Sequence, residues 1–100
     1  MFKRKVVIHG VSKDSKRLKF MMDEIFEVVA FLDRNKSIVD TEFDSVPIYT
    51  DLSIISDLDF EYIFVMAVDF CGISVEYHKK YNIPFNKMLS MLHVHQIHKQ

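Results

Sequence analysis

Lys5-Val6-Val7-Ile8-His9-Gly10 is the stretch of sequence that decides the fold. This apolar strand ends in glycine and is followed by a helical pattern and by a second apolar strand, Val28-Val29-Ala30-Phe31-Leu32-Asp33, which ends in an acid. The pattern is typical of a βαβ unit that binds nucleotides, in which an acid about 20 residues after the glycine reaches a ribose hydroxyl. The sequence therefore predicts parallel strands with a ligand cleft at their carboxyl ends. No catalytic constellation accompanies them.

The composition predicts one globular domain. The chain has 100 residues, of which 49% are hydrophobic, and its formal net charge is −1. Basic residues dominate residues 1–22 and acidic residues dominate residues 23–69. This polarity argues against a general nucleic-acid binder, because such proteins present a basic face with few acids in it. The basic start either attracts an anionic ligand to the first loop or forms a solvated surface.

Cys71 is the only cysteine, so an intramolecular disulfide is impossible and a reducing, cytoplasmic location is expected. We expect Cys71 to be a small core residue, because free cysteine is among the most frequently buried residue types. No apolar run approaches the roughly 20 residues of a membrane span, and the first residues lack the apolar stretch of a signal peptide.

Helical periodicity follows the first strand. It predicts a helix from about Ser15 with an apolar, buried face made of residues at i, i+3, i+4 and i+7, namely Leu18, Met21, Met22 and Ile25. The opposite, solvated face is expected to carry charged residues, namely Lys16, Arg17, Lys19 and Asp23.

The rest of the chain alternates between strands and helices. After a second strand at residues 27–32, we expect strands at 46–49, 62–68 and 85–91. The segment 46–49 is expected to be an edge strand or an extended loop because it contains a proline, whereas 62–68 is apolar throughout and is expected to be central. A short helix is expected directly after residue 49, and a longer one over about 74–81.

Four segments carry a resemblance to a known family: Val7-Ile8-His9-Gly10-Val11-Ser12, Glu27 to Asp33, Ser45-Val46-Pro47-Ile48 and Asp59 to Ala67. Together they resemble the small Rossmann-like domain at the N-terminus of bacterial sugar-modifying enzymes. These include sugar acyltransferases of sialic-acid and bacillosamine type, capsular nucleotide-sugar dehydratases and sugar methyltransferases. The resemblance covers about residues 5–91.

This resemblance implies an α/β, three-layer Rossmann-like fold with a mostly parallel sheet of about four or five strands. We accordingly divide the chain into a Rossmann-like domain of nucleotide-binding type, residues 1–91, and a polar C-terminal tail, residues 92–100. The tail contains His93, His95 and His98. Imidazoles suit zinc or nickel, but no cysteine or acid lies nearby to complete a four-ligand set, so no metal site is predicted.

The candidate site begins in the first loop, which in the related acyltransferases resembles G-x-S-G-x-G. The loop positions that match are Gly10, Val11, Ser12, Lys13 and Ser15, so that only the first glycine is kept. The missing glycines normally admit a pyrophosphate and allow the helix to pack on the strand. Either the two serines and the lysine bind phosphate at the helix N-terminus, or the loop binds no ligand.

Three further residues belong to the candidate site because they follow strand ends. Asp33 either accepts ribose hydroxyls or is a solvated acid, and Arg34 beside it either accommodates a ribose phosphate or lies on the surface. Asp69 follows the expected central strand, at the edge where open sheets bind ligands.

The resemblance implies an accessory domain that binds a nucleotide or nucleotide sugar in bacterial surface-polysaccharide or sugar-modification pathways and is catalytically inert alone. A ligand-free structural or dimerisation module is one alternative. An NAD-dependent nucleotide-sugar enzyme fragment is another, although Tyr77 is followed by Tyr81 where a Tyr-x-x-x-Lys pair requires lysine. The expected partners are the nucleotide ligand and either a second copy of the chain or an adjoining catalytic domain, with no nucleic acid and no membrane span.

Overall fold

The computed structural model describes residues 2–90 and has an α/β fold. Within this range the strands are β1 (Arg4–His9), β2 (Phe26–Leu32), β3 (Glu42–Phe43), β4 (Val46–Tyr49), β5 (Tyr62–Val65) and β6 (Met88–Leu89). The α-helices are α1 (Lys13–Met22) and α2 (Phe70–Tyr81), and 3-10 helices span Leu52–Asp57 and Phe85–Lys87.

The strands form one sheet in the order β3-β4-β2-β1-β5-β6. β1 pairs in parallel with β2 and β5, and β4 and β6 continue the parallel pairing outwards on either side. The short β3 pairs antiparallel with β4. The prediction of a mostly parallel sheet is therefore confirmed. The sheet has one strand more than predicted, because β3 is too short to leave a hydrophobic pattern in the sequence.

Alternating side chains of the sheet supply two cores, one on each face. Ile8 of β1 packs with Leu18 of α1 in the first core, and Val7 packs with Tyr77 of α2 in the second. Ile8, Val7 and Tyr77 are fully buried. The two helices thus cover opposite faces of the sheet, as the strand period of two residues requires.

The buried face of α1 is rotated relative to the prediction. It consists of residues at i, i+3, i+4 and i+7 counted from Ser15, namely Ser15, Leu18, Lys19 and Met22. Met21 and Ile25 keep 40% and 38% of their surface exposed. The assignment of Ile25 to the buried face is wrong because α1 ends at Met22, which leaves Ile25 outside the helix. The assignment of Met21 is wrong because it lies about 100° around the helix axis from the buried Met22.

Lys19 was expected on the solvated face and is buried instead, with 6% of its surface exposed. Its ammonium lies 2.7 Å from the carboxylate of Asp23, one helical turn on, and is also hydrogen-bonded to Asp44. These two carboxylates neutralise the lysine and tie α1 to the turn between β3 and β4. A buried cation is tolerated where such partners compensate for its lost hydration.

The segment 46–49 is a strand, but it does not lie at the edge of the sheet. A tight hairpin puts β3 outside it, and both residues of the connecting turn are left-handed, with φ of +50° at Asp44 and +64° at Ser45. The prediction of an edge position is therefore wrong, because a turn of this kind is ordinarily signalled by glycine or asparagine.

The second half of the chain differs from the prediction mainly in its boundaries. The expected strand 62–68 ends at Val65, and the helix expected over 74–81 already begins at Phe70. The described part of the expected strand 85–91, residues 85–90, contains a 3-10 helix followed by the two-residue β6. The α2 helix ends at Tyr81, and its C-cap Asn82, with a φ of +58°, terminates it before Pro84.

Cys71 is exposed, so the prediction of a core position is wrong. It lies in the first turn of α2, and the residues of this helix that face the sheet are Ile73, Ser74 and Tyr77. Two positions before Ile73 correspond to about 200° around the helix axis, which directs Cys71 to solvent.

The predicted boundary at residues 91 and 92 and the three tail histidines lie outside the described residues. Among residues 2–90, no helix is both long enough and apolar enough to cross a membrane.

We predict that Ser45→Gly stabilises the protein. A left-handed backbone costs a residue with a Cβ atom about 1–2 kcal/mol, and glycine relieves this cost while losing about 0.5–1 kcal/mol of chain entropy. A net gain of about 0.5–1 kcal/mol is expected in the free energy of unfolding, measured by urea denaturation. Ser37→Gly is the control: residue 37 does not have a positive φ, so this change is expected to be neutral or destabilising. Equal effects of the two substitutions would contradict the prediction.

Candidate functional site

A cleft of about 210 Å³ opens at the carboxyl ends of β1, β2 and β5. In the sheet, β2 pairs with one side of β1, and β5 pairs with its other side. The cleft therefore lies at the point where the strand order reverses. Six of the eight predicted site residues line it, namely Gly10, Val11, Ser12, Asp33, Arg34 and Asp69. Four further lining residues are not predicted from the sequence, namely His9, Met66, Ala67 and Ile73.

Three larger clefts among the described residues, of about 410, 540 and 270 Å³, lie beside Phe2 near the start of β1. Phe2 lines all three and is itself 89% exposed. Open parallel sheets bind ligands at the carboxyl ends of their strands, where helix N-termini and polar loops converge. We therefore assign the candidate site to the smaller cleft.

Gly10 allows the strand ends to come together. Its φ is +105°, and a Cβ atom at this position would lie 2.5 Å from the carbonyl oxygen of Met66. Its amide donates a 2.7 Å hydrogen bond to the carbonyl of Leu32 at the end of β2. A side chain at residue 10 would therefore strain the backbone and separate β1 from the segment after β5.

The first turn of α1 is closed by its own serines. The Ser15 amide donates to Ser12 Oγ at 3.1 Å, and the Ser12 amide donates to Ser15 Oγ at 2.8 Å. This capping box satisfies donors that would otherwise be free for an anion. Ser15 is fully buried, and Lys13 is exposed and does not line the cleft. The structure thus leaves these two predicted residues out of the cleft.

Asp33 joins the first loop to the end of β2. One carboxylate oxygen accepts the Val11 amide at 2.8 Å, and the other accepts the Asn35 amide at 2.9 Å. The side chain is therefore held in one orientation at the cleft wall. Each carboxylate oxygen can accept a second hydrogen bond, which leaves capacity for a ligand hydroxyl.

Arg34 is an exposed residue that lines the cleft. Its guanidinium lies 2.8 Å from the Glu76 carboxylate of α2. Glu76 also pairs with Lys80 at 3.5 Å. Arg34 is more than half exposed, so this pair contributes little to stability. It joins the loop after β2 to α2, the helix that supplies the lining residue Ile73.

Asp69 caps α2 and lines the cleft at the same time. Its carboxylate accepts the Gly72 amide at 2.9 Å. A Cβ atom on Gly72 would lie 2.1 Å from the other carboxylate oxygen, so the absence of a side chain at residue 72 is required for this cap.

His9 is a buried polar residue beside the cleft, with 3% of its surface exposed. Its Nδ1 lies 2.6 Å from the hydroxyl oxygen of Tyr77, which is fully buried on α2. Burial lowers the pKa of His9 to about 4, although the Asp33 carboxylate acts in the opposite direction. Burial also raises the pKa of the Tyr77 hydroxyl above its ordinary value. Both groups are therefore neutral near pH 7.

A sequence signal for His9 exists. His9 is a polar residue that directly follows the apolar run Val6-Val7-Ile8 and stands directly before the glycine, where a side chain reaches the carboxyl edge of the sheet. Its partner Tyr77 has no comparable signal, because the contact joins elements distant in sequence.

We predict that His9 makes the protein acid-sensitive. Between pH 6.5 and about 4 the unfolded chain binds a proton at His9 that the folded protein excludes, so the free energy of unfolding falls as the pH is lowered. The shift in pKa corresponds to about 3 kcal/mol. Urea denaturation at about pH 7.5 and about pH 4.5 should therefore show a smaller loss for His9→Gln than for the wild type.

The matched control for this experiment is His78→Gln. His78 bonds to the carbonyl of Ile83 and stacks on Phe85, away from the cleft, so this variant should keep the acid dependence of the wild type. A His9→Gln protein that loses as much stability in acid as the wild type would show that His9 does not cause the effect.

Comparison with known proteins shows the family of the chain. A search of curated proteins found no match. The family model described as C2185-like, N-terminal matches residues 2–89, which include the whole sheet and every residue of the cleft. The chain therefore belongs to the C2185-like N-terminal family.

Proposed function

We propose that the protein is a three-layer Rossmann-like module that binds the ribose of a nucleotide or nucleotide sugar and is catalytically inert alone. The single observation that carries this proposal is the position of Asp33: a fixed carboxylate at the end of β2, in a cleft at the reversal of strand order. In Rossmann folds an acid at this place receives the ribose hydroxyls.

The strand order supports the same proposal. Without the short β3, the parallel strands follow the order β4-β2-β1-β5-β6, which corresponds to third, second, first, fourth and fifth along the chain. This order matches five of the six strands of the dinucleotide-binding fold. Helices α1 and α2 cover opposite faces, as the three layers require.

The loop chemistry supports recognition of the sugar rather than of the phosphates. Ser12 and Ser15 satisfy each other in the capping box, and Lys13 does not line the cleft. A cleft of about 210 Å³ is smaller than the roughly 300–1,000 Å³ of sites that enclose a drug-sized ligand. We therefore propose that the remainder of the ligand extends beyond this module.

An adjoining catalytic domain is the proposed recipient of the rest of the ligand. The family is described as N-terminal, which is consistent with a module that precedes another domain. The resemblance to the first domain of bacterial sugar-modifying enzymes suggests that the reaction is the modification of a nucleotide-linked sugar, in a reducing cytoplasmic setting. The same fold serves different activities in different proteins, so the choice of sugar depends on that other domain.

A ligand-free scaffold is the second candidate, and one observation favours it. The closed capping box of α1 is the arrangement expected of a loop that has no phosphate to bind. In this case β6, which is the edge strand of the sheet within residues 2–90, and the half-exposed Phe85 before it would pair with a second copy of the chain or with a neighbouring domain.

We predict that ribonucleotides stabilise the protein. A ligand at about ten times its Kd adds about 1.4 kcal/mol to the free energy of unfolding, which raises the Tm of a domain of this size by about 6–10 °C. Thermal unfolding is measured with millimolar UMP, CMP, AMP, NAD and UDP-glucose. The 2′,3′-dideoxy forms of the active nucleotides should give little shift, because they lack the hydroxyls that bind Asp33.

Asp33→Asn is the test variant, because asparagine keeps one acceptor for the backbone amides but removes the charge. It should abolish most of the shift caused by ribonucleotides. Asp40→Asn changes an exposed acid of the following loop and should leave the shift intact. If none of the five ligands shifts the Tm of the wild type, the binding proposal is wrong and the scaffold is favoured.

The scaffold candidate has its own measurement, the molar mass in solution. Pairing through β6 predicts a dimer by light scattering at hundreds of micromolar protein. Phe85→Ser should then shift the equilibrium towards the monomer, whereas Phe20→Ser, which changes an exposed aromatic residue of α1, should not. A strict monomer together with nucleotide binding would reject the scaffold.

A further inference from the structure

His9 has an unused hydrogen-bonding atom at the cleft. The residue lines the cleft and is almost fully buried. Its Nδ1 contacts Tyr77, while its Nε2 has no hydrogen-bond partner among residues 2–90. Within residues 2–90 the buried side-chain polar atom without a partner is Ser74 Oγ, so His9 Nε2 is accessible at the cleft, where a ligand group can bond to it.

The partner on Nδ1 decides which nitrogen carries the proton. The Tyr77 hydroxyl is buried, and its one hydrogen-bond partner within residues 2–90 is His9 Nδ1. If Nδ1 carried the proton, the hydrogen of the tyrosine hydroxyl would itself be left without an acceptor. The satisfied arrangement has Tyr77 donating to Nδ1, and this leaves the proton of the neutral imidazole on Nε2.

The groups around the cleft favour an uncharged ligand group. Asp33 and Asp69 line the cleft, and the cation that lines it, Arg34, is paired with Glu76 at 2.8 Å. Carboxylates repel a phosphate but accept hydrogen bonds from hydroxyls. The apolar side chains of Met66, Ala67 and Ile73 complete the lining and suit the carbon face of a sugar ring.

We propose that His9 is a ligand-binding residue that works together with Asp33: the two ribose hydroxyls bind as a pair, one donating to the Asp33 carboxylate and its neighbour accepting from His9 Nε2–H. The proposal rests on the proposed function, since it names the contact that completes the ribose site. Tyr77 is a positioning residue, because it acts only by holding the imidazole tautomer. The donor and the acceptor together select a vicinal diol over a single hydroxyl or a phosphate.

The tautomer is tested first, in the protein without ligand. Long-range ¹H–¹⁵N correlation spectra distinguish an imidazole protonated at Nε2 from one protonated at Nδ1. The expected result at neutral pH is a neutral His9 with its proton on Nε2, and a change in this signature in Tyr77→Phe. A proton on Nδ1 in the wild type would overturn the proposal regardless of any ligand.

The contact itself is tested by removing hydroxyls from the ligand and side chains from the protein. Binding of uridine, cytidine and adenosine, and of their 2′-deoxy and 3′-deoxy forms, is measured by titration calorimetry. His9→Phe should weaken binding of the ribonucleosides about five- to tenfold, the effect of one hydrogen bond. It should have almost no effect on the deoxy form that lacks the hydroxyl bound by His9. His78→Phe is the matched control and should leave every affinity unchanged.

The outcomes separate this inference from the proposed function. If the ribonucleosides bind and depend on Asp33, but His9→Phe weakens the ribo and both deoxy forms equally or not at all, the role of His9 is overturned and the ribose site stands. If His9→Phe fails to fold, Tyr77→Phe provides the same test, since loss of the tautomer should weaken the ribonucleosides selectively. If no nucleoside and no nucleotide binds the wild type, the ribose site and this inference are both overturned.

Discussion

The close approach of three strand ends at Gly10 is the constraint on which the rest of the site depends. Its amide bonds to the carbonyl of Leu32, and its Cα faces the carbonyl of Met66 at a distance that admits no side chain. β1 is thereby held against both neighbours at their carboxyl ends. The loops that follow β1, β2 and β5 consequently converge on one cleft, and Asp33 fixes the first of these loops through the Val11 amide.

Much of the fold could be predicted because its strongest signals are local. The apolar runs of β1, β2 and β5 identify strands buried on both faces, and their spacing requires parallel pairing. The hairpin of β3 and β4 could not be predicted, because its two left-handed residues are Asp44 and Ser45 rather than asparagine and glycine. Boundaries such as the start of α2 depend on caps, and a cap by Asp69 is recognised only once the helix is known.

The candidate site was predictable where a residue directly follows a strand, and unpredictable where a contact joins distant elements. Gly10 and Asp33 directly follow β1 and β2, and Asp69 directly follows the predicted strand 62–68 although β5 itself ends at Val65. All three line the cleft. The prediction of Lys13 and Ser15 as site residues depends on a glycine pattern that the loop does not keep. In the structure the Ser15 hydroxyl instead accepts the Ser12 amide in the capping box of α1. Glu76 and Tyr77 come from α2 and meet the residues at the ends of β1 and β2 only through the tertiary fold.

Three buried polar side chains show how a polar residue buried for structural reasons differs from one that is available to a ligand. Ser15 is satisfied by the Ser12 backbone, and Lys19 is neutralised by two carboxylates, so both complete their interactions within the protein. His9 is buried to a similar degree but completes only half of its hydrogen bonding, with Tyr77. The other ring nitrogen, Nε2, is not buried without a partner and is accessible at the cleft, where a ligand group can replace water as its partner. The position of His9 at the cleft, next to a carboxylate with spare acceptor capacity, therefore points to a ligand that both donates and accepts, as a sugar diol does.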